Sequence, residues 1–177
     1  MISRKYPSTR LRRLRQSESI IKLTSECLVT KNDLIQPVFV KEHLSDKEPI
    51  ESMPGIFRFG EVSVLKEIEE IVQLGIKAIA IFPVIDPSKK DSKGTDATKR
   101  DNFISRVLGS IKSKFPDLLV IADVALDPYT DHGHDGILEN DRILNDQTLE
   151  VLAEQSLVLA EAGADIIAPS DMMDGRI

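Results

Sequence analysis

The feature that most constrains the fold of this chain is a regular alternation of short apolar runs with amphipathic segments. Four runs of apolar and β-branched residues occupy positions 34–40, 78–82, 118–122 and 165–168. Each run is continuous rather than alternately polar and apolar, which is typical of strands buried on both faces of a parallel sheet. The runs therefore predict four parallel strands that start near residues 34, 77, 118 and 165, at intervals of about 41–47 residues.

Helical patterns fill the intervals between these runs, because apolar residues recur there at every third or fourth position. The three patterns cover residues 64–72, 103–111 and 149–160. The first stops at Gly75 and the third at Gly163, glycines of the kind that end helices, and the second stops before Pro116. Strands and helices that alternate in this way are typical of stacked βαβ units, so the sequence predicts an α/β fold with a parallel sheet.

The loops that follow the predicted strands are much longer than the turns that precede them. Residues 83–98 follow the second run and residues 124–146 follow the third, whereas a turn as short as Gly163-Ala164 leads into the fourth. In parallel α/β folds the loops at the carboxyl ends of the strands hold the functional residues. The loop lengths therefore predict one functional face. The chain contains neither a Gly-x-Gly-x-x-Gly nor a Walker sequence, which argues against nucleotide binding.

The segment from Asp123 to Gly136 carries the densest group of candidate functional residues. It follows the third predicted strand and contains four aspartates and two of the three histidines of the chain. Carboxylates and imidazoles are ligands for hard or borderline divalent cations, so the segment is a candidate metal loop. A solvated acidic loop, whose bends are made by aspartate and glycine, is the alternative.

Two side chains at predicted strand ends are candidate catalytic groups. Asp123 is placed at the carboxyl end of its strand, where a carboxylate can transfer a proton or bind an amine; a capping or loop hydrogen bond is the alternative. Ser170 ends the fourth run beside Asp171, and helix capping by either residue is the alternative there. The lysines of the polar loop 86–96 can bind an anionic group or can simply be solvated.

Charge is distributed unevenly along the chain. The first 16 residues contain six basic side chains and no acidic one, whereas the remaining 161 contain 17 basic and 29 acidic side chains. This basic segment can bind nucleic acid or an anionic surface, act as a targeting peptide, rest on a neighbouring subunit, or be a solvated tail. No apolar run approaches the roughly 20 residues of a membrane helix. The single cysteine, Cys27, excludes a disulfide framework and a cysteine-only zinc site.

Short motifs along the whole chain point to one family. They are Arg10–Arg15, Pro37–Val40, Met53–Gly55, Gly94–Ala97, Asp123–Gly136, Ala162–Asp165, Ala168–Ser170 and Met173–Gly175. The most specific of them is the His132-Gly133-His134 segment, which follows a strand and its aspartate. Together the motifs resemble porphobilinogen synthase, also called 5-aminolevulinate dehydratase, from one end of the chain to the other.

The resemblance implies a (β/α)8 TIM barrel with an N-terminal arm, of which this chain holds about the first four β/α units. Residues 1–30 are then the basic arm and residues 31–177 the first half of the barrel. The implied reaction condenses two molecules of 5-aminolevulinate to porphobilinogen through lysine Schiff bases, in tetrapyrrole and haem synthesis. The implied protein is a cytoplasmic homo-octamer whose arms wrap neighbouring subunits, with neither nucleic acid nor a membrane as a partner.

Zinc-dependent members of the family carry three cysteines in the segment after the third strand. This chain has Ala125, Asp127 and Asp135 at those places. Thiolates suit zinc, whereas carboxylates suit Mg²⁺ and similar hard ions. The resemblance therefore implies Mg²⁺ and excludes a three-cysteine zinc site, with Asp127 and Asp135 either as metal ligands or as residues that only hold the loop. Most of the Mg²⁺ site is expected in the second half of the barrel.

The resemblance places both Schiff-base lysines after the fourth strand, beyond residue 177, so the 177-residue chain alone is expected to be inactive. Asp123 and Ser170 match positions that line the site near those lysines. Asp123 is expected to transfer a proton or orient an amine, and Ser170 to make a weaker contact. Eight units of this length need about 330–380 residues, which is about twice this chain. A half-barrel that has lost catalysis and serves in binding or assembly is one alternative, and an unrelated α/β protein that binds a metal or an anion is another.

Overall fold

The computed structural model describes residues 5–176, so Arg4 of the basic arm and Ile177 lie outside the described residues. The chain divides into two compact units, Met1–Thr30 and Lys31–Ile177. In the first unit, helix α1 (Glu18–Thr24) begins after Ser17, whose hydroxyl accepts a hydrogen bond from the Ile20 amide at 3.3 Å. None of the described residues of this unit is fully buried.

The second unit is built on a six-stranded sheet with helices. In chain order its strands are β1 (Ile35–Lys41), β2 (Lys47–Pro49), β3 (Phe57–Phe59), β4 (Ala78–Val84), β5 (Leu119–Val124) and β8 (Ile166–Pro169), with a separate hairpin of β6 (Leu138–Glu139) and β7 (Arg142–Ile143). The helices are α2 (Val64–Gln73), α3 (Phe103–Lys114) and α4 (Asn145–Glu161). No helix of the described residues is both long and apolar enough to cross a membrane.

The four predicted strands are parallel neighbours in chain order, and the short β3 also pairs in parallel with β1. The sheet runs β2-β3-β1-β4-β5-β8, and the pairs β1–β4, β4–β5 and β5–β8 are all parallel. The three predicted helices are also present, although α4 begins at Asn145, four residues before its apolar pattern becomes regular. The prediction of a parallel α/β sheet is therefore confirmed, while the two- and three-residue strands β2, β3, β6 and β7 were not predicted.

The hydrophobic core lies between the parallel strands and the helices. Alternate residues of the strands point into it, including Ile79 and Ile81 of β4 and Val120 of β5, each at most 1% exposed. They pack in one cluster with apolar residues of α2 and α3 such as Ile68 and Leu108. Burying a side chain of this size stabilises the fold by roughly 1.5–3 kcal/mol. The other face of the strands carries the intervening residues, and there Phe39 and Phe82 stack with ring centroids 5.5 Å apart.

Tight turns lead from the helices into the amino ends of the parallel strands. Gly75 and Gly163 follow α2 and α4 with φ angles of +86° and +114°, a conformation that favours glycine. At the same end Lys112 of α3 donates from Nζ to the carbonyl oxygens of Pro116 and Leu118, both at 3.0 Å, and to the Asp165 carboxylate. At this end of the sheet the charged side chains therefore bond to backbone carbonyl oxygens and to each other.

Candidate active site

The two predicted catalytic side chains lie at adjacent strand ends. Asp123 of β5 pairs in register with Ala168 of β8, and the Ser170 amide donates to the Val124 carbonyl oxygen at 3.1 Å. Asp123 lies on the face of β5 opposite the buried Val124 side chain, because successive strand residues point to opposite faces. The structure therefore brings Asp123 and Ser170 together at the carboxyl end of the sheet.

The surroundings of Asp123 favour its protonated form. Burial raises the pKa of the Asp123 carboxyl, and the nearby carboxylates of Asp135 and Asp171 raise it further. The Ser170 hydroxyl acts in the opposite direction, because a hydrogen bond from it stabilises the ionised carboxylate. A half-buried carboxyl with a raised pKa at a strand end has the properties of a proton donor or acceptor.

The two aspartates predicted as metal ligands belong to the same group of carboxylates. Burial raises the pKa of Asp127, and the charges of Asp135 and Asp123 add to the effect, while the Lys90 ammonium opposes it. These like charges therefore lie within electrostatic reach of one another. Within residues 5–176, however, no three side chains of histidine, cysteine, aspartate or glutamate converge in an arrangement that can hold a metal ion.

Two buried side chains anchor the aspartate-rich segment directly after β5. The amides of Tyr129 and Thr130 both donate to the Leu126 carbonyl oxygen, at 2.8 and 2.9 Å. Leu126 and Tyr129 are themselves at most 1% exposed and belong to the core. Asp127 lies between these anchors in a partly enclosed position that still leaves it accessible to solvent at the carboxyl end.

The two histidines of the segment stabilise the loop through their Nδ1 atoms. His132 Nδ1 accepts a hydrogen bond from the His134 amide at 3.1 Å, and His134 Nδ1 accepts one from the Gly136 amide at 3.2 Å. His132 Nε2 also lies 3.3 Å from the Ser92 carbonyl oxygen. In this structure the imidazoles therefore shape the backbone of the loop.

The loop after β4 is bonded to the aspartate-rich segment. The sequence left open whether the lysines of this loop bind an anionic group or are only solvated. The Asp91 amide donates to the Tyr129 carbonyl oxygen at 3.3 Å, and the Asp131 amide donates to the Asp91 carbonyl oxygen at 3.2 Å. The Asp91 carboxylate in turn accepts hydrogen bonds from the amides of Lys93 and Thr95. The charge of Lys90 in this loop acts on Asp127, but the sequence did not indicate this pairing, because a lysine in a polar run gives no signal of its partner.

Asp171 contributes a buried carboxylate to the same end of the sheet. Its Oδ1 accepts a hydrogen bond from the Met173 amide at 2.7 Å and lies 3.1 Å from a guanidinium nitrogen of Arg176. Oδ2 is buried and has no hydrogen-bond partner among residues 5–176. The described residues after β8 contain no helix, so helix capping by Ser170 or Asp171 stays a prediction.

Comparison with known proteins identifies a single family. The family model described as delta-aminolevulinic acid dehydratase matches residues 8–177. The delta-aminolevulinic acid dehydratase of Helicobacter pylori is 48% identical over 169 residues, covering 95% of this chain and 52% of that protein. The enzyme of the same name from Bradyrhizobium diazoefficiens is 46% identical over 168 residues, covering 95% of this chain and 48% of its own length. The chain spans about half the length of the curated relatives it matches.

A solved structure has the same fold over nearly the whole chain. It is the crystal structure of delta-aminolevulinic acid dehydratase (porphobilinogen synthase) from Toxoplasma gondii in complex with the reaction product porphobilinogen. The TM-score is 0.88 at 42% sequence identity, and the match covers 95% of this chain and 48% of that one. The predicted fold class, a (β/α)8 barrel present here as its first four strands with three of the intervening helices, is thereby confirmed.

Proposed function

Because the chain belongs to the delta-aminolevulinic acid dehydratase family, we propose that it forms the amino-terminal half of a porphobilinogen synthase. The proposed reaction condenses two molecules of 5-aminolevulinate to porphobilinogen with loss of two molecules of water. The observation that carries the proposal is the pair of Asp123 and Ser170 at adjacent strand ends, within a chain matched over residues 8–177. A porphobilinogen complex of a relative that shares this fold supports the same choice of substrate.

Asp123 is the proposed acid–base group of this half. Its raised pKa, caused mainly by burial, lets it hold a proton closer to neutral pH than an exposed aspartate does. The ionised form can accept a proton from the substrate ammonium group, and the protonated form can return one to a departing oxygen. Ser170, which stabilises the carboxylate, is the proposed second contact.

The covalent steps are assigned to residues outside this chain. Members of the family use two lysines as Schiff-base nucleophiles, and these are expected beyond residue 177. Residues 1–177 therefore supply proton transfer and part of the substrate pocket, and the second half of the barrel supplies the amines. On this basis the 177-residue chain alone is not expected to turn over 5-aminolevulinate.

Magnesium is the proposed metal, with Asp127 and Asp135 as contributors. Their carboxylate oxygens are the donor type that Mg²⁺ prefers, and a cation near them would offset the burial and the carboxylate repulsion that raise the pKa of Asp127. The described residues do not converge as a three-ligand group, so the second half of the barrel would have to complete the site. Calorimetric titration of the completed protein tests this, because tight zinc binding with no response to Mg²⁺ would contradict it.

The basic arm is the proposed contact between subunits, and the assembly implied by the family is an octamer. Leu11, Leu23 and Leu28 of this unit are each at least 84% exposed, which is unusual for leucine and favours burial against another chain. Sedimentation velocity of the completed protein, with and without residues 1–30, tests this proposal. An unchanged mass after removal of the arm would contradict it.

The decisive experiment for the function completes the barrel. This chain is co-expressed with the second half of the Helicobacter pylori enzyme, the part that the chain does not match, and porphobilinogen formation from 5-aminolevulinate is measured. The expected result is turnover by the complemented pair and none by either half. Asp123→Asn should lower kcat by about 10²- to 10⁴-fold, the range for loss of a general acid–base group.

Asp131→Asn is the matched control, because Asp131 is an exposed aspartate of the same segment. It should leave kcat within about twofold of the unmodified pair, since its side chain has no proposed role in the reaction. A folded complemented pair that binds 5-aminolevulinate without forming porphobilinogen would instead favour a binding or assembly module. An equal loss of activity in both variants would contradict the role of Asp123.

A further inference from the structure

A buried ion pair lies next to the candidate active site but is not part of it. Glu42 directly follows β1, and its side chain is 2% exposed. Its Oε1 lies 2.5 Å from Nζ of Lys89 and 3.6 Å from a guanidinium nitrogen of Arg106, while its Oε2 accepts a hydrogen bond from the Asp86 amide at 3.3 Å. A buried carboxylate is stable only when it is paired, so Glu42 holds the loop that carries Lys89.

Lys89 and Asp86 belong to the loop that follows β4, so this ion pair ties that loop to the end of a neighbouring strand. The Glu42 amide also donates to the Val84 carbonyl oxygen at 3.1 Å, which fixes the two strand ends to each other. Glu42 raises the pKa of Lys89 through a hydrogen bond and its charge, so the pair stays ionised. The first turn of the loop therefore has a defined position relative to β1.

Two residues after Lys89, at Asp91, the same loop bonds to the aspartate-rich segment. The backbone of Asp91 bonds to Tyr129 and Asp131 on either side of Thr130, which forms a short parallel bridge between the two loops. Gly94, with a φ of +64°, lies against Leu126 and Tyr129, where an added Cβ would be 3.4–3.6 Å from their side chains. A shift of the loop would therefore move the segment that carries Asp127.

Adjacent lysines of this loop have different partners. Lys89 bonds to Glu42 on the β1 side, whereas the charge of Lys90 acts on Asp127 on the β5 side. Because the two residues are consecutive, the position of Lys89 restricts where the Lys90 ammonium can be. The Glu42–Lys89 pair thus acts on the candidate site through the backbone, without touching its carboxylates.

We propose that the Glu42–Lys89 ion pair is a positioning device that fixes the loop after β4 and, through the bridge of Asp91 to Thr130, keeps residues 129–131 in place. Glu42 and Lys89 are positioning residues rather than catalytic residues, because they act through another segment. The effect of this pair on turnover rests on the proposed function, whereas its effect on the loop does not. The two effects are therefore measured separately.

The first measurement is amide hydrogen exchange of the 177-residue chain, which requires no catalysis. In Lys89→Met the amides of Asp91 and Asp131 should exchange about tenfold faster. The reason is that the loop after β4 should open locally more often once the charge-assisted hydrogen bond to Glu42 is lost. The amides of Ile81 and Val120 in the core strands serve as internal references and should be unchanged. Lys93→Met is the matched control, since Lys93 is an exposed lysine of the same loop, and it should leave all four amides unchanged.

Rescue and a second variant separate positioning from general loss of stability. Lys89→Arg keeps a cation within reach of Glu42 and should return the exchange of Asp91 and Asp131 close to that of the unmodified chain. Glu42→Gln, which keeps the size of the side chain, should reproduce the faster exchange if Lys89→Met fails to fold. Unchanged exchange at Asp91 and Asp131, or equal acceleration at Ile81 and Val120, would overturn the proposal.

The second measurement is steady-state kinetics of the complemented pair. Lys89→Met should lower kcat about tenfold with KM for 5-aminolevulinate within about twofold, because the loop is displaced while the substrate pocket remains. Lys89→Arg should restore kcat, and Lys93→Met should not change it. Equal kcat for Lys89→Met and the unmodified pair would overturn the catalytic part of the inference. Absence of turnover in the unmodified pair would count against the proposed function and leave the exchange result to decide the positioning role.

Discussion

The two ends of the parallel sheet contain similar charged residues but use them differently. At the amino end Asp165 accepts hydrogen bonds from the Val120 amide at 2.8 Å and from Lys112, and these contacts lower its pKa despite the opposing effect of burial. At the carboxyl end burial and the neighbouring carboxylates raise the pKa of Asp123. One aspartate is therefore stabilised as an anion by the fold, and the other is destabilised as an anion by it.

This difference separates the residues that hold the sheet from those that can react. The amino end pairs its charges and backbone groups in short turns, so its interactions stabilise the folded state. The carboxyl end accumulates carboxylates that repel one another, and Asp171 keeps a buried oxygen without a partner among the described residues. Such an arrangement lowers stability and is retained where a chemical function benefits from it. Three predictions test this comparison between the two ends.

The largest expected effect on stability lies at the amino end. Lys112→Met removes the ammonium that bonds to the carbonyl oxygens of Pro116 and Leu118 and to Asp165, while the aliphatic part of the side chain is kept. The free energy of unfolding should fall by about 2 kcal/mol, because charge-assisted bonds to partly buried groups are lost. Denaturant unfolding of the 177-residue chain measures this. A loss below about 0.5 kcal/mol would show that the amino end is not held in this way.

The regular part of the fold could be predicted from the sequence because its signal is local. Continuous apolar runs and three- to four-residue periods identified the strands that became β1, β4, β5 and β8 and the helices between them. The approach of Asp123 to Ser170 could also be predicted, since neighbouring parallel strands place their carboxyl ends together. In each case one physical rule connects a sequence pattern to a position in space.

The remaining features depend on contacts between distant residues that leave no pattern in the chain. Glu42 and Lys89 are 47 positions apart, and neither differs in the sequence from a solvated charge. Strands of two or three residues, such as β2 and β3, are too short for a period to be recognised. The raised pKa values of Asp123 and Asp127 follow from burial and from the distances to neighbouring carboxylates, which the spacing of the residues does not provide.

A smaller change in the free energy of unfolding, of order 1 kcal/mol or less, is expected when pH is used to compare the two ends. Asp123 has a raised pKa in the folded protein, so its destabilising effect is present above that pKa and disappears as the pH falls toward the ordinary value of an aspartate. Asp165 has a lowered pKa, so its stabilising effect is present above the ordinary value and is lost as the pH falls through the folded one. Acidification should therefore remove a destabilising charge at the carboxyl end and a stabilising charge at the amino end.

Two variants isolate these opposite contributions. Between about pH 6 and pH 3, the Tm of Asp123→Asn should fall more steeply on acidification than that of the unmodified chain. The reason is that this variant has no destabilising charge at position 123 for acid to neutralise. Asp165→Asn should lose Tm less steeply, because the acid-sensitive contact has already been removed. Thermal unfolding followed by circular dichroism across this range measures both slopes. Parallel curves for the two variants would contradict the assigned pKa directions.

The smallest effect is expected from a second lysine at the amino end, and it tests whether burial rather than charge makes that end stable. Lys114 lies two residues after Lys112 on the same helix and contacts Glu69 of α2 at 2.8 Å, but both side chains are about half exposed. Exposed ion pairs contribute little, so Lys114→Met should change the free energy of unfolding by less than about 0.5 kcal/mol, and added salt should reduce even this difference. Because the two substitutions are chemically identical, the difference between their effects isolates the bonds of Lys112 to backbone carbonyls and Asp165. Equal losses from both variants would mean that general electrostatic attraction, rather than the bonded turns, stabilises the amino end.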